Sequence, residues 1–452
     1  MTTEAPDIVL IHCHDLGRWL SIYGMPDVPS PNLEAFAKGS VVFENAHSTA
    51  PLCSPARGSL FTGLSPHRHG VQGLAHNSWR YRGNVLTAPE HLAKCGYKST
   101  LIGLQHENAD ARLIGFDDVI GLGYLPRANT VVESAAAWLQ RLPAKGERAP
   151  IFLTVGIWEV HRPWPAEDYA AADPSQVNVP AYLPDNESTR ADIAAFHGSI
   201  RQLDAAMGRI FKAINEELNP RTTMIVFTTD HGAPFPRAKS SLYDAGTGVT
   251  LIVRPPTAWD VRPGVRREIV SHLDILPTFL DAAGASADEN LEGISLRSPM
   301  QEPLDTGSER VVFTSKSHHD HYDPIRAVRS ENYAYIRNFE PNPLLKLSGD
   351  LEGSPTRHGM GDSHLAPRPR EELYDREIDP DELTNLVDDP TYAGIRSRYS
   401  ALLAEWMDDT RDPLLDGPIT TPPPRTRTTD GLPELAAPKR LPVPSHLEPT
   451  KT

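Results

Sequence analysis

The chain has 452 residues, 39% of them hydrophobic, and a formal net charge of −15, enough for one large core with a smaller unit attached. That charge argues against nucleic acid or an anionic membrane as the main partner, and no apolar run reaches the roughly 20 residues of a membrane span. Three cysteines, Cys13, Cys53 and Cys95, are too few for a disulfide framework.

In chain order, residues 1–6 carry neither a basic n-region nor an apolar h-region, so the expectation is a cytoplasmic protein without a signal peptide. Residues 7–13 are an apolar run of the kind a buried parallel strand carries, and they lead into His14-Asp15-Leu16-Gly17. Residues 31–39 read as a short helix opened by Pro31 and stopped by Gly39, and 40–43 as a strand. Thr87-Ala88-Pro89-Glu90 is a capping box opening a helix that ends near Gly96. Strand 99–103 delivers His106, helix 130–142 follows, and strand 151–160 delivers His161. Apolar Ile193, Phe196, Ile200, Leu203, Met207, Ile210 and Phe211 recur at helical spacing through 189–218. Strand 223–229 delivers Asp230-His231-Gly232; 250–253 is another strand and 271–283 another helix. Strands alternating with helices predict an α/β fold with a largely parallel sheet over residues 1–304.

Beyond that, short antiparallel strands at 311–315, 327–329 and 333–338 and a closing helix at 393–407 predict a smaller α+β domain over 305–412. Residues 413–452, rich in Pro and Thr and without periodicity, are expected to form an extended or disordered tail.

Two patterns carry chemistry. Cys53-Ser54-Pro55-Ala56-Arg57 reads as a helix start, with Ser54 as N-cap and Pro55 at the first position. Cys53 then sits at a helix N-terminus, where free N–H groups and the dipole favour an anion, and Arg57 adds a planar fork of donors suited to sulfate or phosphate. The plain alternative is a buried thiol before an ordinary helix. The second pattern is positional. His14/Asp15, His106, His161 and Asp230/His231 each lie at or just past the C-terminal end of a strand, the edge where open α/β sheets bind ligands. One such histidine is ordinary loop composition; four strands ending this way are not.

Cys53-Ser54-Pro55-Ala56-Arg57 followed by Thr62-Gly63 resembles the Cys-x-Pro-x-Arg signature of the sulfatases, a branch of the alkaline phosphatase superfamily. The likeness extends along nearly the whole chain. His14-Asp15-Leu16-Gly17 stands where these enzymes carry Asp-Asp-x-Gly, Asp230-His231-Gly232 matches the later Asp-Asn/His-Gly, and Lys239 resembles the lysine that contacts sulfate. His106 resembles the histidine of the family's Gly-Lys-x-His element, and His161 a second active-site histidine. Asp230-His231-Gly232-Ala233-Pro234-Phe235-Pro236, Lys316-Ser317-His318-His319 and Glu372-Leu373-Tyr374-Asp375 are most similar to the heparan N-sulfatases (sulfamidases).

The resemblance implies an alkaline-phosphatase-like fold and hydrolysis of a sulfate ester or sulfamate, with a small molecule or saccharide as substrate. It implies that a formylglycine-generating enzyme converts Cys53 to formylglycine, whose hydrate is the nucleophile, and that one divalent metal is held by His14, Asp15, the oxygen derived from Cys53, Asp230 and His231. Arg57 and Lys239 would stabilise the sulfuryl oxygens, His161 would protonate the leaving atom, and His106 would help regenerate the aldehyde. His318 and His319 would line the substrate pocket, while His67-Arg68-His69 is read as scaffold. The departures are His14 and His231 in place of oxygen ligands, and Leu104-Gln105 in place of the family lysine. Calcium is the family default, but imidazole suits manganese, iron or zinc. The departures also keep two alternatives open: a phosphodiester or phosphonate monoester hydrolase of the same superfamily, and a non-catalytic binding protein. The oligomeric state is not read from the sequence.

Overall fold

Ile8, Val9, Leu10 and Ile11 are fully buried, as a strand must be when it has neighbours on both edges and layers on both faces. In the computed structural model, which describes residues 5–123, 125–286, 288–301 and 309–423, this strand, Asp7–Cys13, pairs in parallel with Ile151–Gly156 and with Thr223–Thr229. Among the described residues the sheet has eight strands, in the order Asp118–Ile120, Lys98–Gly103, Ile151–Gly156, Asp7–Cys13, Thr223–Thr229, Leu251–Arg254, Val41–Phe43 and Gly264–Arg266. Leu251–Arg254 runs antiparallel to both its neighbours, so the expected largely parallel sheet is mixed on that side. The two outermost strands lack the apolar runs that mark the others, because their residues are half-buried or exposed.

Alternation along the central strand divides the core. Val9 and Ile11 face the helices Ala128–Leu139 and Glu187–Glu217, while Ile8 and Leu10 face the other layer, with Leu60 and Phe61 of Cys53–Thr62 and Ile275, Leu276 and Phe279 of Ile275–Ala282. The long helix begins two residues before the apolar periodicity, because Asn186 caps it by accepting the Thr189 N–H at 3.0 Å. The segment expected as helix from residue 271 opens instead with the strand Val270–Ser271 and a tight turn before Ile275–Ala282.

A second, antiparallel sheet orders Val312–His318, Tyr322–Arg329, Tyr333–Asn338 and Glu371–Asp375. One face packs Ile325, Ala327 and Ile336 on Leu242 and Tyr243 of the large unit. The other packs Val328, Tyr335 and Leu373 on Tyr399, Leu403 and Trp406 of the helix Ala393–Asp409. The tail expected from 413 starts out packed, with Ile419 only 9% exposed. Its N–H donates to Tyr322 Oη at 3.1 Å and its carbonyl contacts His318 Nε2 at 2.9 Å. Residues 424–452 of that expected tail, and the expected boundary near residue 305, lie outside the described residues. Among the described residues no helix is long and apolar enough to cross a membrane.

Candidate active site

The strands ending in Gly103, Gly156, Cys13 and Thr229 are four contiguous parallel neighbours, so their C-terminal ends form one edge. Their loops carry His106, His161, His14/Asp15 and Asp230/His231 to it. Glycine makes the closest approach possible. Gly17, at φ +57°, donates its N–H to the His231 carbonyl at 3.0 Å, and a Cβ on it would lie 2.9 Å from the Ala233 nitrogen. A Cβ on Gly232 would lie 1.9 Å from the Ala245 carbonyl oxygen. Both glycines of the two Asp-bearing turns are therefore required by packing.

Cys53 arrives from the other direction, as the first residue of the helix Cys53–Thr62. The expected Ser54 N-cap is not formed. The cap is Leu52, and the Ser54 hydroxyl instead accepts the Ala75 N–H at 2.9 Å. Cys53 thus sits in the first turn among free N–H groups. One ligand atom from each of His14, Asp15, Cys53, Asp230 and His231 falls in a cluster whose members lie within 4.8 Å of one another, and all five residues are buried. Burial raises the Cys53 thiol pKa, but His14, Lys239 and a hydrogen bond with His106 outweigh it and hold the thiol well below its ordinary value.

The cluster's bonds aim lone pairs inward. Asp230 Oδ1 accepts the N–H groups of Asp15 and His231, each at 2.9 Å, leaving Oδ2 to face His14 Nδ1 at 3.1 Å. His231 Nδ1 contacts the Gly232 carbonyl at 3.0 Å, and its Nε2 lies 3.0 Å from Asp15 Oδ1. Burial opposes a charge on this imidazole, but Asp230 and Asp15 raise its pKa well above the ordinary histidine value, so without a metal Nε2 carries a proton that a bound cation would displace. His14 Nε2 is buried with no hydrogen-bond partner among the described residues, at a cost that a bound ion would remove, and two carboxylates and two imidazoles are packed here within contact of one another. The residues present therefore fit a divalent metal. Two imidazoles and two carboxylates suit manganese, iron or zinc better than an all-oxygen calcium site.

Around this cluster the placement is uneven. Lys239 Nζ donates to Asp15 Oδ2 at 2.7 Å and to Asp350 Oδ2 at 2.8 Å, and lies 3.1 Å from His161 Nε2. Burial opposes its charge, but Asp15 and Asp350 raise its pKa well above the ordinary lysine value. His161 packs on Trp158 with ring centroids 4.3 Å apart, and burial together with the Lys239 charge pushes it down to about 4. His106 lies stacked on His76 at 5.7 Å. These groups, with Cys53 and His319, line a cavity of about 530 Å³.

Two expected substrate contacts are placed elsewhere. Arg57 is fully buried behind the cluster, donating to His12 Nδ1 at 2.5 Å and the Cys13 carbonyl at 2.9 Å, with Nη2 3.0 Å from Asp230 Oδ2. It holds a cluster carboxylate rather than lining the cavity. His318 also points away, toward Trp79 and the Ile419 carbonyl, since neighbouring residues near a strand end face opposite sides. His319 is the one of the pair that reaches the cavity, where it contacts Ser240 Oγ at 3.3 Å. Leu104 lines the cavity and brings no cation.

Sequence reasoning missed Asp350, Trp158, His76 and His12. Trp158 and His12 adjoin flagged strand ends and could have been found by extending that search; Asp350 and His76 had no such signal.

The Sulfatase family profile matches residues 6–285, the span holding every residue of the five-donor cluster. Human N-sulphoglucosamine sulphohydrolase is 28% identical over 471 residues, covering 91% of this chain and 91% of that protein. An ulvan-active sulfatase of Formosa agariphila is 26% identical, covering 93% of this chain and 84% of that protein. The crystal structure of the phosphonate monoester hydrolase of Agrobacterium radiobacter superposes with a TM-score of 0.70 at 20% identity, over 94% of this chain and 99% of that one, a likeness of fold. The expected alkaline-phosphatase-like fold and the likeness to the heparan N-sulfatases are both borne out. The chain belongs to the sulfatase family, hydrolases of sulfuric esters and sulfamates within the alkaline phosphatase superfamily.

Proposed function

We propose that the protein hydrolyses a sulfate ester or sulfamate of a small molecule or saccharide, using formylglycine made from Cys53 by a separate maturation enzyme. The observation that carries this reading is the convergence of Cys53 with His14, Asp15, Asp230 and His231 in one buried cluster, with Cys53 also lining the cavity that holds Lys239, His161 and His106. A divalent metal held by those four residues would supply Lewis-acid polarisation, and the modified Cys53 the nucleophilic oxygen.

The chain's own groups do the rest. Lys239 presents an ammonium to the incoming anion, held in place by carboxylates on two sides. Arg57 fixes Asp230, so the cluster geometry is set before substrate arrives. His161 Nε2 is the proton donor to the leaving oxygen or nitrogen. The neighbouring ammonium holds its pKa down, and a bound sulfate offsets that ammonium and lets His161 take a proton. His106, over the Cys53 side, accepts the proton when sulfate is expelled.

The same site without the family lysine also favours a second reading, hydrolysis of a phosphodiester or phosphonate monoester, since Leu104 lowers the positive charge offered to the anion. Rates on an aryl sulfate, glucosamine N-sulfate and a phosphodiester separate the two. Turnover of the sulfates, with the mass of an aldehyde in the peptide containing position 53, is expected. Turnover of the phosphodiester alone sinks the first reading.

A further inference from the structure

The cavity above Cys53 is polarised. Lys239 is the only lysine or arginine among its described lining residues, and the wall on the small-sheet side holds Asp350 and Asp320. Both carboxylates are built in. Asp350, in the short turn Gly349–Glu352, takes Lys239 Nζ on Oδ2 at 2.8 Å and the Ser348 hydroxyl on Oδ1 at 2.6 Å. Asp320 Oδ2 accepts the Gly349 N–H at 2.7 Å, tying the two loops together. Their side chains remain 22% and 38% exposed, leaving oxygen lone pairs for a ligand. Asp350 Oδ2 also lies 3.9 Å from His161 Nε2, the atom that meets the leaving group in the reading above.

We propose that this wall selects the leaving group. The substrate is one whose sulfated or sulfamated position is its only anion, with hydroxyl or ammonium donors beside the scissile bond for Asp350 and Asp320. Such donors form charge-assisted hydrogen bonds with the two carboxylates. A carboxylate or second sulfate on the same residue would meet like charge in a partly desolvated cavity whose one described lysine or arginine, Lys239, is taken by Asp15, Asp350 and the scissile sulfate. A neutral or amino sugar fits; a uronic acid or a disulfated sugar does not. This rests on the cavity being a sulfatase site and extends that reading to the substrate class. The adjoining groove, which shares His319 and Asp320, also holds Lys346 and His321 and is the competing place for a second anion.

The test compares p-nitrophenyl sulfate, glucosamine N-sulfate and glucosamine N,6-disulfate on the metal-loaded, matured full chain, on Asp320→Asn and Asp350→Asn, and on Lys346→Ala. Wild-type kcat/KM is expected to favour the monosulfate over the disulfate by at least about tenfold, and each Asn variant to narrow that ratio by about threefold or more through a lower KM for the disulfate. Equal use of the two sugars, a ratio unmoved in both Asn variants, or a ratio governed by Lys346 overturns the proposal. Calorimetric binding of glucosamine N-sulfate against glucosamine N,6-disulfate to Cys53→Ala, which cannot turn over, reads the same preference without turnover. If no sulfate is hydrolysed yet the binding preference holds, the sulfatase reading has failed and the selective wall stands. Turnover without preference gives the reverse.

Discussion

Lys239 Nζ lies 2.8 Å from Asp350 Oδ2, an ion pair between the large-sheet unit and a loop of the small-sheet unit. Asp15 grips the same ammonium from the opposite side at 2.7 Å, so the second unit is part of the site's electrostatics. Lys239→Ala is expected to lower kcat/KM by about 10²–10³-fold, as for loss of one preorganised donor. Steady-state kinetics on an aryl sulfate check it, and a change of under about threefold would remove Lys239 from the anion site.

His161 acts on the leaving atom, so its removal should depend on how much the leaving group needs a proton. His161→Gln is expected to slow a sugar sulfate by about 10²–10⁴-fold and p-nitrophenyl sulfate far less. Equal losses on both substrates would assign His161 to positioning instead.

His14 Nδ1 lies 2.8 Å from Asp15 Oδ1 and 3.1 Å from Asp230 Oδ2, and His231 Nε2 lies 3.0 Å from Asp15 Oδ1, so both imidazoles belong to the donor cluster. Their replacement by alanine should lower bound metal from one ion per chain to a small fraction, measured by elemental analysis after dialysis. The wild-type ion is expected to be manganese, iron or zinc rather than calcium. Full retention of one ion by both variants would show that the metal sits elsewhere.

Arg326 and Asp412 are both fully buried on the ion-pairing side chain and meet at 2.5 and 3.0 Å. Asp412→Ala strands a guanidinium and is expected to cost about 3–5 kcal/mol, read from urea unfolding. The loss should also free the packed segment around Ile419, whose first anchor is this pair. An unfolding midpoint equal to wild type would mean water or the Lys316 carbonyl replaces the carboxylate.

Buried His67 and His69 are pushed down to about 3, burial being the main cause. Unfolded histidine titrates near 6.5, so below that pH the unfolded chain binds protons the native chain refuses. Stability is then complete above about pH 7 and falls as pH drops toward 3. Near pH 5 these two residues contribute about 2.7 kcal/mol per pH unit. Urea midpoints at pH 7.5 and 5 test this, and His67→Gln should shrink the difference; a midpoint that does not move on acidification contradicts it.

What the amino-acid sequence determined was the part written in local patterns. Apolar runs ending in His or Asp marked the four central strands, because a strand buried on both faces has little freedom of composition and its first polar residues fall at the sheet edge. The Cys53 segment was equally legible, since a helix start needs few residues to specify it. Strand order, however, depends on which edges pair, and only the pairing showed that those four strand ends are adjacent. The tertiary structure also decided side-chain direction. Arg57 turns to Asp230 because a buried guanidinium goes where carboxylate and carbonyl acceptors surround it. His319, rather than His318, reaches the cavity because alternation sends neighbours to opposite sides. Asp350 joins the site from a loop without periodicity, more than a hundred residues beyond Lys239 in sequence, and such a contact exists only once the small sheet has docked on Leu242 and Tyr243.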